Sequence, residues 1–206
     1  VERAKAHPGV KAVLTPKDIA AFSWNQAPGR HHDMPLLADT PRFAGDDIAV
    51  VAAVDDDRAQ EALDLIEGDY QPLPFVFDPE EALKSTAPKI HPQGNIVGEK
   101  PFILERGNIG KGFQEADLVY EGRYYTPMLQ HVTAEPRVCV ARWDRGKLTV
   151  WDSLQYTFGP QVTLAYTFKI PMSKVRVICE FMGGGFGDSL TGLFLKALCA
   201  LCALCG

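Results

Sequence analysis

The chain's 206 residues, 46% of them hydrophobic, are enough for one large domain or two small ones, each with a filled core. With 21 Lys and Arg against 26 Asp and Glu, a net charge of -5 and no basic run, a nucleic-acid surface or an anionic membrane is disfavoured as partner, which leaves small molecules and proteins. No window has the form of a signal peptide, and the one strongly apolar segment, residues 190–204, contains Lys196 and is short for a membrane span, so a buried helix and a cytoplasmic protein are expected.

In chain order, "VERAKAHPGV" is helical in pattern from its first residue, and at the other end the apolar helix stops with nothing left to pack against, so the sequence is expected to be part of a longer polypeptide. Residues 10–15 predict a strand. "TPKDIAAF" then offers Thr15 as an N-cap, Pro16 at the first helical position and Asp18 in the first turn, which predicts a short helix. A long polar stretch with proline, "SWNQAPGRHHDMPLLADTPRF", reads as an exposed loop in which His31 and His32 are solvated. "DIAVVAAV", residues 47–54, predicts a strand covered on both faces. Asp55 to Asp57 cap a helix whose apolar face is Ala59, Ala62, Leu63, Leu65 and Ile66 and which Gly68 ends. "DYQPLP" extends the chain, and "FDPEEAL" repeats the capped-helix pattern with Asp78, Pro79 and Glu81.

Residues 86–108 are rich in Pro, Gly and Asn without a period and predict a linker. Beyond it come a short helix in "GKGFQEA" and an aromatic-alternating strand in "DLVYEGRYYTP". "RVCVARWDRGKLTVWDS" is a hairpin around the turn Asp144-Arg145-Gly146-Lys147. A helix from near Pro160, a buried strand in "KVRVICEF", a glycine loop and the last apolar helix complete the chain. The fold class is α/β (α+β), and no period of a solenoid recurs.

The glycine run in "VICEFMGGGFGDS" demands an explanation, because such freedom is useful only where the backbone bends unusually or something comes close to it. Phosphate loops are the first candidates, since free backbone N–H groups favour an anion. A P-loop lacks its lysine here, with Asp188 before Ser189, and a dinucleotide loop lacks its third glycine, with Asp188 in that place. A packing turn and an approach to some other group both stay open. In "LQHVTAEP", His131 and Glu135 are spaced as ligands or an acid/base pair would be, and equally as a hydrogen-bonded pair that orients its own loop, with Gln130 beside them as a neutral donor. Of five cysteines, Cys139 and Cys179 sit in strand-like runs as free thiols, whose odd total suits a reducing compartment. Cys199, Cys202 and Cys205 have cluster-like spacing but neither a following Cys-Pro nor polar spacers, so they read as small apolar residues on a helix. No G-x-S-x-G, H-E-x-x-H or EF-hand pattern occurs, and no metal ligand is assigned among the side chains.

Taken together, "PGVKAVLTPKDI", "PLLADTPRFAGDDIAVVAAVDDDRAQEALDLIEGDYQPLPFVFDPEEAL", "GNIGKGFQEADLVYEGRYYTP", "QHVTAEPRVCVA", "GKLTVWDS" and "KVRVICEFMGGGFGD" resemble, in this order, the large molybdopterin-binding subunit of the xanthine dehydrogenase, aldehyde oxidase and carbon monoxide dehydrogenase family. The version in residues 61–83 is similar to the 4-hydroxybenzoyl-CoA reductase and carbon monoxide dehydrogenase-like branches. The resemblance implies an α/β hammerhead domain over residues 1–90, lacking its first strands, a linker over 91–108, and the opening part of a molybdenum-cofactor-binding domain over 109–206. It implies that Gly184, Gly185, Phe186 and Gly187 lie against the molybdenum–molybdopterin cofactor, in its cytosine dinucleotide form in a bacterial member. The family's glutamine two residues before the motif histidine is Leu129 here, so Gln130 would serve through a register change, and Asp188, Ser189 and Leu190 replace the family's Gly, Lys and acidic residue. No catalytic residue falls within the chain, because the family's glutamate base lies beyond residue 206.

The implied activity is oxidation of an aldehyde or aromatic heterocycle with water-derived oxygen, or the reverse dehydroxylation, with electrons passing to iron–sulfur clusters and FAD. Those centres would sit on an iron–sulfur subunit and an FAD subunit, which, with the remaining part of the molybdopterin subunit and a small-molecule substrate, are the expected partners. A rival reading is a non-catalytic assembly or docking module. Leu129, Ser189 and Leu190 favour the rival; the intact "GGGFG" opposes it.

Overall fold

The computed structural model describes residues 1–20, 22, 35–96, 103–136 and 138–186. His31, His32, Gly187 and the expected last helix with Cys199, Cys202 and Cys205 lie outside the described residues. The described chain forms two compact units, one of residues 1–75 with the residues from 131 onward, the other of residues 76–130.

In the first unit, helix α1 (Glu2–Lys5) leads into strand β1 (Val10–Leu14), which pairs antiparallel with β2 (Val50–Ala53) in the register Ala12 opposite Ala52 and Leu14 opposite Val50. Helix α2 (Asp56–Asp64) follows, and Asp55 caps it by accepting a hydrogen bond from the Arg58 N–H at 2.9 Å. Of its expected apolar face, Ala62 is buried against Ala4 and Val13, with Leu65 and Ile66 beside it. Leu63 faces out, and the helix ends at Asp64 rather than at Gly68.

Helices α3 (Pro79–Ala82) and α4 (Ile109–Glu115) belong to the second unit, after which the chain returns as the hairpin β3 (Cys139–Asp144) and β4 (Lys147–Asp152). Arg145 and Gly146 occupy its turn at φ 47° and 73°, the two positive angles that let a two-residue turn follow the strands' right-handed twist. Helix α5 (Phe158–Phe168) then carries the chain over to β5 (Val175–Ile178), parallel to β4. Lys169, left-handed at φ 53°, stops α5, and the Ile170 N–H reaches back to the Ala165 carbonyl at 3.0 Å, closing a Schellman-type end. Leu148, Val150 and Val175 of the sheet pack with Leu164 and Ala165 of α5 and with Ile19, Leu36 and Leu37 from the first 75 residues. One core is therefore built from segments more than a hundred residues apart in the chain.

In the second unit, Asp78 caps α3 by accepting from the Glu80 and Glu81 N–H groups, and Asn108 caps α4 by accepting from the Lys111 N–H. Asn95 ties the intervening turn, accepting from the Ile90 N–H at 2.8 Å and donating to the Ala82 and Pro88 carbonyls. None of its described residues is buried, and Phe77, Leu104, Tyr124, Tyr125 and Met128 are all exposed.

Two expectations are corrected. Residues 16–20 form a turn and not the helix that Thr15, Pro16 and Asp18 predicted: the Thr15 N–H and hydroxyl both donate to the Asp18 carboxylate, at 2.8 and 2.6 Å, and the Asp18 N–H returns to the Thr15 carbonyl. The same bonds that would start a helix here close a single turn, and it delivers Ile19 to the core. "DLVYEGRYYTP" is unpaired backbone and not a strand, because alternation supplies a face but no ladder partner lies beside it among the described residues.

Candidate functional site

β4 and β5 run parallel, with Trp151 opposite Ile178, so the loops after them leave the same edge of the sheet at the strands' carboxyl ends. Open parallel sheets place ligands at that edge, because side chains and amides from neighbouring loops converge there without blocking each other. The loop after β4 brings Ser153, Leu154 and Gln155; the loop after β5 brings Cys179 and the glycine run. The Cys179 thiol sits 3.3 Å from both the N–H and the carbonyl oxygen of Leu154, accepting from one and donating to the other, and this joins the two loops at their roots.

A third segment, just before β3, completes the arrangement. Glu135 Oε2 accepts a hydrogen bond from the buried Ser153 hydroxyl at 2.6 Å and another from the Gly183 N–H. A β-carbon on Gly183 would collide with that of Glu135, and one on Gly185 with Gln155 Cγ and Cδ, so both glycines are where side chains of this same chain press on the backbone. Gly184 is different: its φ of 109° is one that only glycine adopts without strain. Phe186 follows at φ 50°, also left-handed, with its ring largely exposed. Thr133 Cγ2 would lie 3.6 Å from a β-carbon on Gly184, so the segment containing Thr133 and Glu135 runs alongside the loop.

Among the residues expected to bind a cofactor, Gly184, Gly185 and Phe186 are thus consecutive in this loop, and Gly187 lies outside the described residues. Gln130 is exposed and falls in the second unit. The Glu135 carboxylate turns to Ser153 and Gly183, so its local role is a loop contact. Ser153, Gln155 and Thr133 do not stand out in the sequence; their signal is position, directly after a parallel strand or beside the motif glutamate, and not residue type. Among the described residues no group of three or more His, Cys, Asp or Glu side chains is placed to hold a metal ion, and no helix is long and apolar enough to cross a membrane.

Residues 1–74 match the a/b hammerhead domain of aldehyde oxidase and xanthine dehydrogenase, and residues 90–205 match the molybdopterin cofactor-binding domain. The nicotinate dehydrogenase large molybdopterin subunit of Eubacterium barkeri is 38% identical over 209 residues, which cover 98% of this chain and 47% of that protein. A probable xanthine dehydrogenase subunit of Bacillus subtilis is 35% identical over 204 residues, covering 98% of this chain and 27% of that one. The structure of reconstituted CO dehydrogenase from Oligotropha carboxidovorans superposes with a TM-score of 0.81 at 28% identity, over 97% of this chain and 27% of that chain. The chain spans between about a quarter and a half of the length of these relatives.

Proposed function

Because the chain belongs to the aldehyde oxidase and xanthine dehydrogenase family, we propose that it serves as the cofactor-facing part of the large subunit of a molybdenum hydroxylase. Its substrate is an aldehyde or an electron-poor aromatic heterocycle; the likeness to the nicotinate dehydrogenase large subunit favours the heterocycle. Residues 1–90 act as the hammerhead domain, 91–108 as a linker and 109–206 as the opening part of the molybdopterin-binding domain.

The observation that carries this reading is the loop after β5. Gly184 and Gly185 present peptide edges with no side chain, Gly184 turns through a positive φ, and the Phe186 ring stands exposed beside them. Bare backbone suits the approach of a bulky anionic pterin and its metal, because peptide N–H groups reach an acceptor only where no β-carbon intervenes. Gly184, Gly185, Phe186 and Gly187 hold the molybdenum–molybdopterin cofactor, in its cytosine dinucleotide form, and Gln130 donates a hydrogen bond to it. When bound, the cofactor supplies the two-electron redox change, while the chain supplies orientation and a wall that narrows access. Electrons pass to iron–sulfur and FAD centres on partner subunits, in the cytoplasm. The apolar surface of residues 76–130 is covered in that assembly, by the rest of the molybdopterin subunit or by a partner subunit.

Elemental analysis of the native assembly, with the intact mass of this subunit on the same sample, tests the reading. Molybdenum in stoichiometric amount together with iron, and turnover of N-heteroaromatic compounds or aldehydes, is the expected result. Absence of molybdenum overturns it and leaves a non-catalytic assembly module, in which the glycine loop is a packing turn.

A further inference from the structure

Glu135, Ser153 and Gly183 come from three different segments, before β3, after β4 and after β5, and one carboxylate oxygen joins them. The arrangement is specific in several respects. Ser153 is buried, so its hydroxyl has a fixed direction, and its 2.6 Å bond has the length of a charge-assisted one. Gly183 has no β-carbon, and any added there would collide with Glu135. The Thr133 hydroxyl donates to the Glu135 carbonyl at 3.3 Å, fixing the bend from which the carboxylate projects. The peptide so held is the one immediately before Gly184, whose positive φ sets the direction of everything after it. A rotation of the Gly183 peptide would therefore re-aim the backbone of residues 184–186.

Resting on the molybdenum reading above, we propose that Glu135 is a positioning residue: its carboxylate, anchored by Ser153, holds the Gly183 peptide so that residues 184–186 present their backbone to the cofactor. It acts through the loop and touches neither substrate nor cofactor. The chemistry is that of supporting partners in metal enzymes, whose removal changes affinity or activity by about tenfold to a hundredfold while leaving the first contacts nominally in place. Because a single oxygen accepts both bonds, an amide oxygen in the same place can take over both acceptor roles at lower strength. Glutamine should thus rescue what alanine loses.

The experiment uses the assembled holoenzyme with Glu135→Ala, Glu135→Gln and Ser153→Ala. Molybdenum content, kcat per bound molybdenum, KM, the Mo(V) paramagnetic resonance spectrum and hydrogen exchange of the peptide containing Gly183 are measured on each. Glu135→Ala is expected to lower kcat per molybdenum by about tenfold to a hundredfold with KM held within about twofold, to alter the Mo(V) spectrum and to speed exchange at Gly183. Glu135→Gln is expected to recover most of the loss, and Ser153→Ala to show a smaller change in the same direction. If Glu135 only stabilises the fold, melting temperature and yield fall while kcat per molybdenum and the spectrum stay at wild-type values, which overturns the proposal. Should Glu135→Ala not assemble, wild-type values of both in Ser153→Ala overturn it equally. A wild-type assembly free of molybdenum is a separate result: it removes the functional reading itself, whatever the variants do.

Discussion

Gly185 and Gln155 face each other so closely that a β-carbon on the glycine would stand 2.5 Å from Gln155 Nε2 and nearer still to its Cγ and Cδ. Gly185→Ala is therefore expected to destabilise the protein by about 1–3 kcal/mol through overpacking. Gln155→Ala removes every one of the crowding atoms, so the double variant should recover most of that loss, a coupling of about 1 kcal/mol or more. Gly183 provides the contrast. Its neighbour is the β-carbon of Glu135, which alanine retains, so Glu135→Ala should not rescue Gly183→Ala. Urea unfolding of the two cycles checks both statements; equal rescue at the two sites would show that the loop relaxes as a whole and the contacts do not decide.

The β3–β4 hairpin turn makes a simpler forecast. Arg145 at φ 47° holds a conformation that costs a non-glycine residue about 1 kcal/mol, whereas Asn or Gly accepts it readily. Arg145→Asn should raise the urea midpoint with an unchanged slope, and Gly146→Ala, at φ 73°, should lower it by about 1 kcal/mol. An increase in stability from Gly146→Ala would mean that the turn is not of this type in solution.

Both of these sites show which features the sequence carries openly. The hairpin is legible because its alternation and its Arg-Gly turn are local, and so are the caps Asp55, Asp78 and Asn108, each within three residues of the N–H it accepts from. Thr15 and Asp18 mislead because helix starts and isolated turns use the same side-chain bonds, and only the pull of the core on Ile19 separates them. Residues 117–127 mislead because a strand is a property of two segments, and alternation in one says nothing of its partner. The glycine run marks its own loop, yet what presses on it does not: Glu135 lies 48 residues from Gly183 and 18 from Ser153. Those distances exceed any local pattern, so a carboxylate that ties three loops looked like half of a His–Glu pair.

Asp18 gives a pH signature. Two hydrogen bonds from Thr15, first that of the hydroxyl and then that of the N–H, hold its carboxyl below the usual value of 3.8. A depressed folded pKa means that the unfolded chain binds the proton more readily, so the stabilisation is fully present above 3.8 and is lost as pH falls through the folded value. The stability difference between wild type and Asp18→Ala should hence be constant from neutral pH down to about pH 5 and shrink below it. Asp47 runs the other way: desolvation, with Asp46 beside it, raises its pKa, so its ionised form disfavours the fold at neutral pH. Asp47→Asn should stabilise the chain at pH 7, with the gain vanishing in acid. Guanidinium titrations at a series of pH values read both, and a gap for Asp18→Ala that widens on acidification would reverse the assignment.

Leu37 tests the cross-chain core. It is 2% exposed and belongs to one cluster with Leu148, Val150, Leu164 and Val175, although more than a hundred residues separate it from the hairpin. If residues 1–75 and those from 131 onward fold as one cooperative body, a cavity at Leu37 weakens the β3–β4–β5 sheet as much as it weakens its own neighbourhood. Leu37→Ala should therefore cost about 2–5 kcal/mol, and hydrogen exchange in β4 should accelerate together with that in β1 and β2. Leu164→Ala, on α5, should produce the same coupled loss from the other side. Were the two segments separate domains that merely touch, Leu37→Ala would speed exchange only in β1 and β2, and β4 would keep its wild-type protection; the hairpin's response to a substitution so distant in sequence is what decides between one body and two.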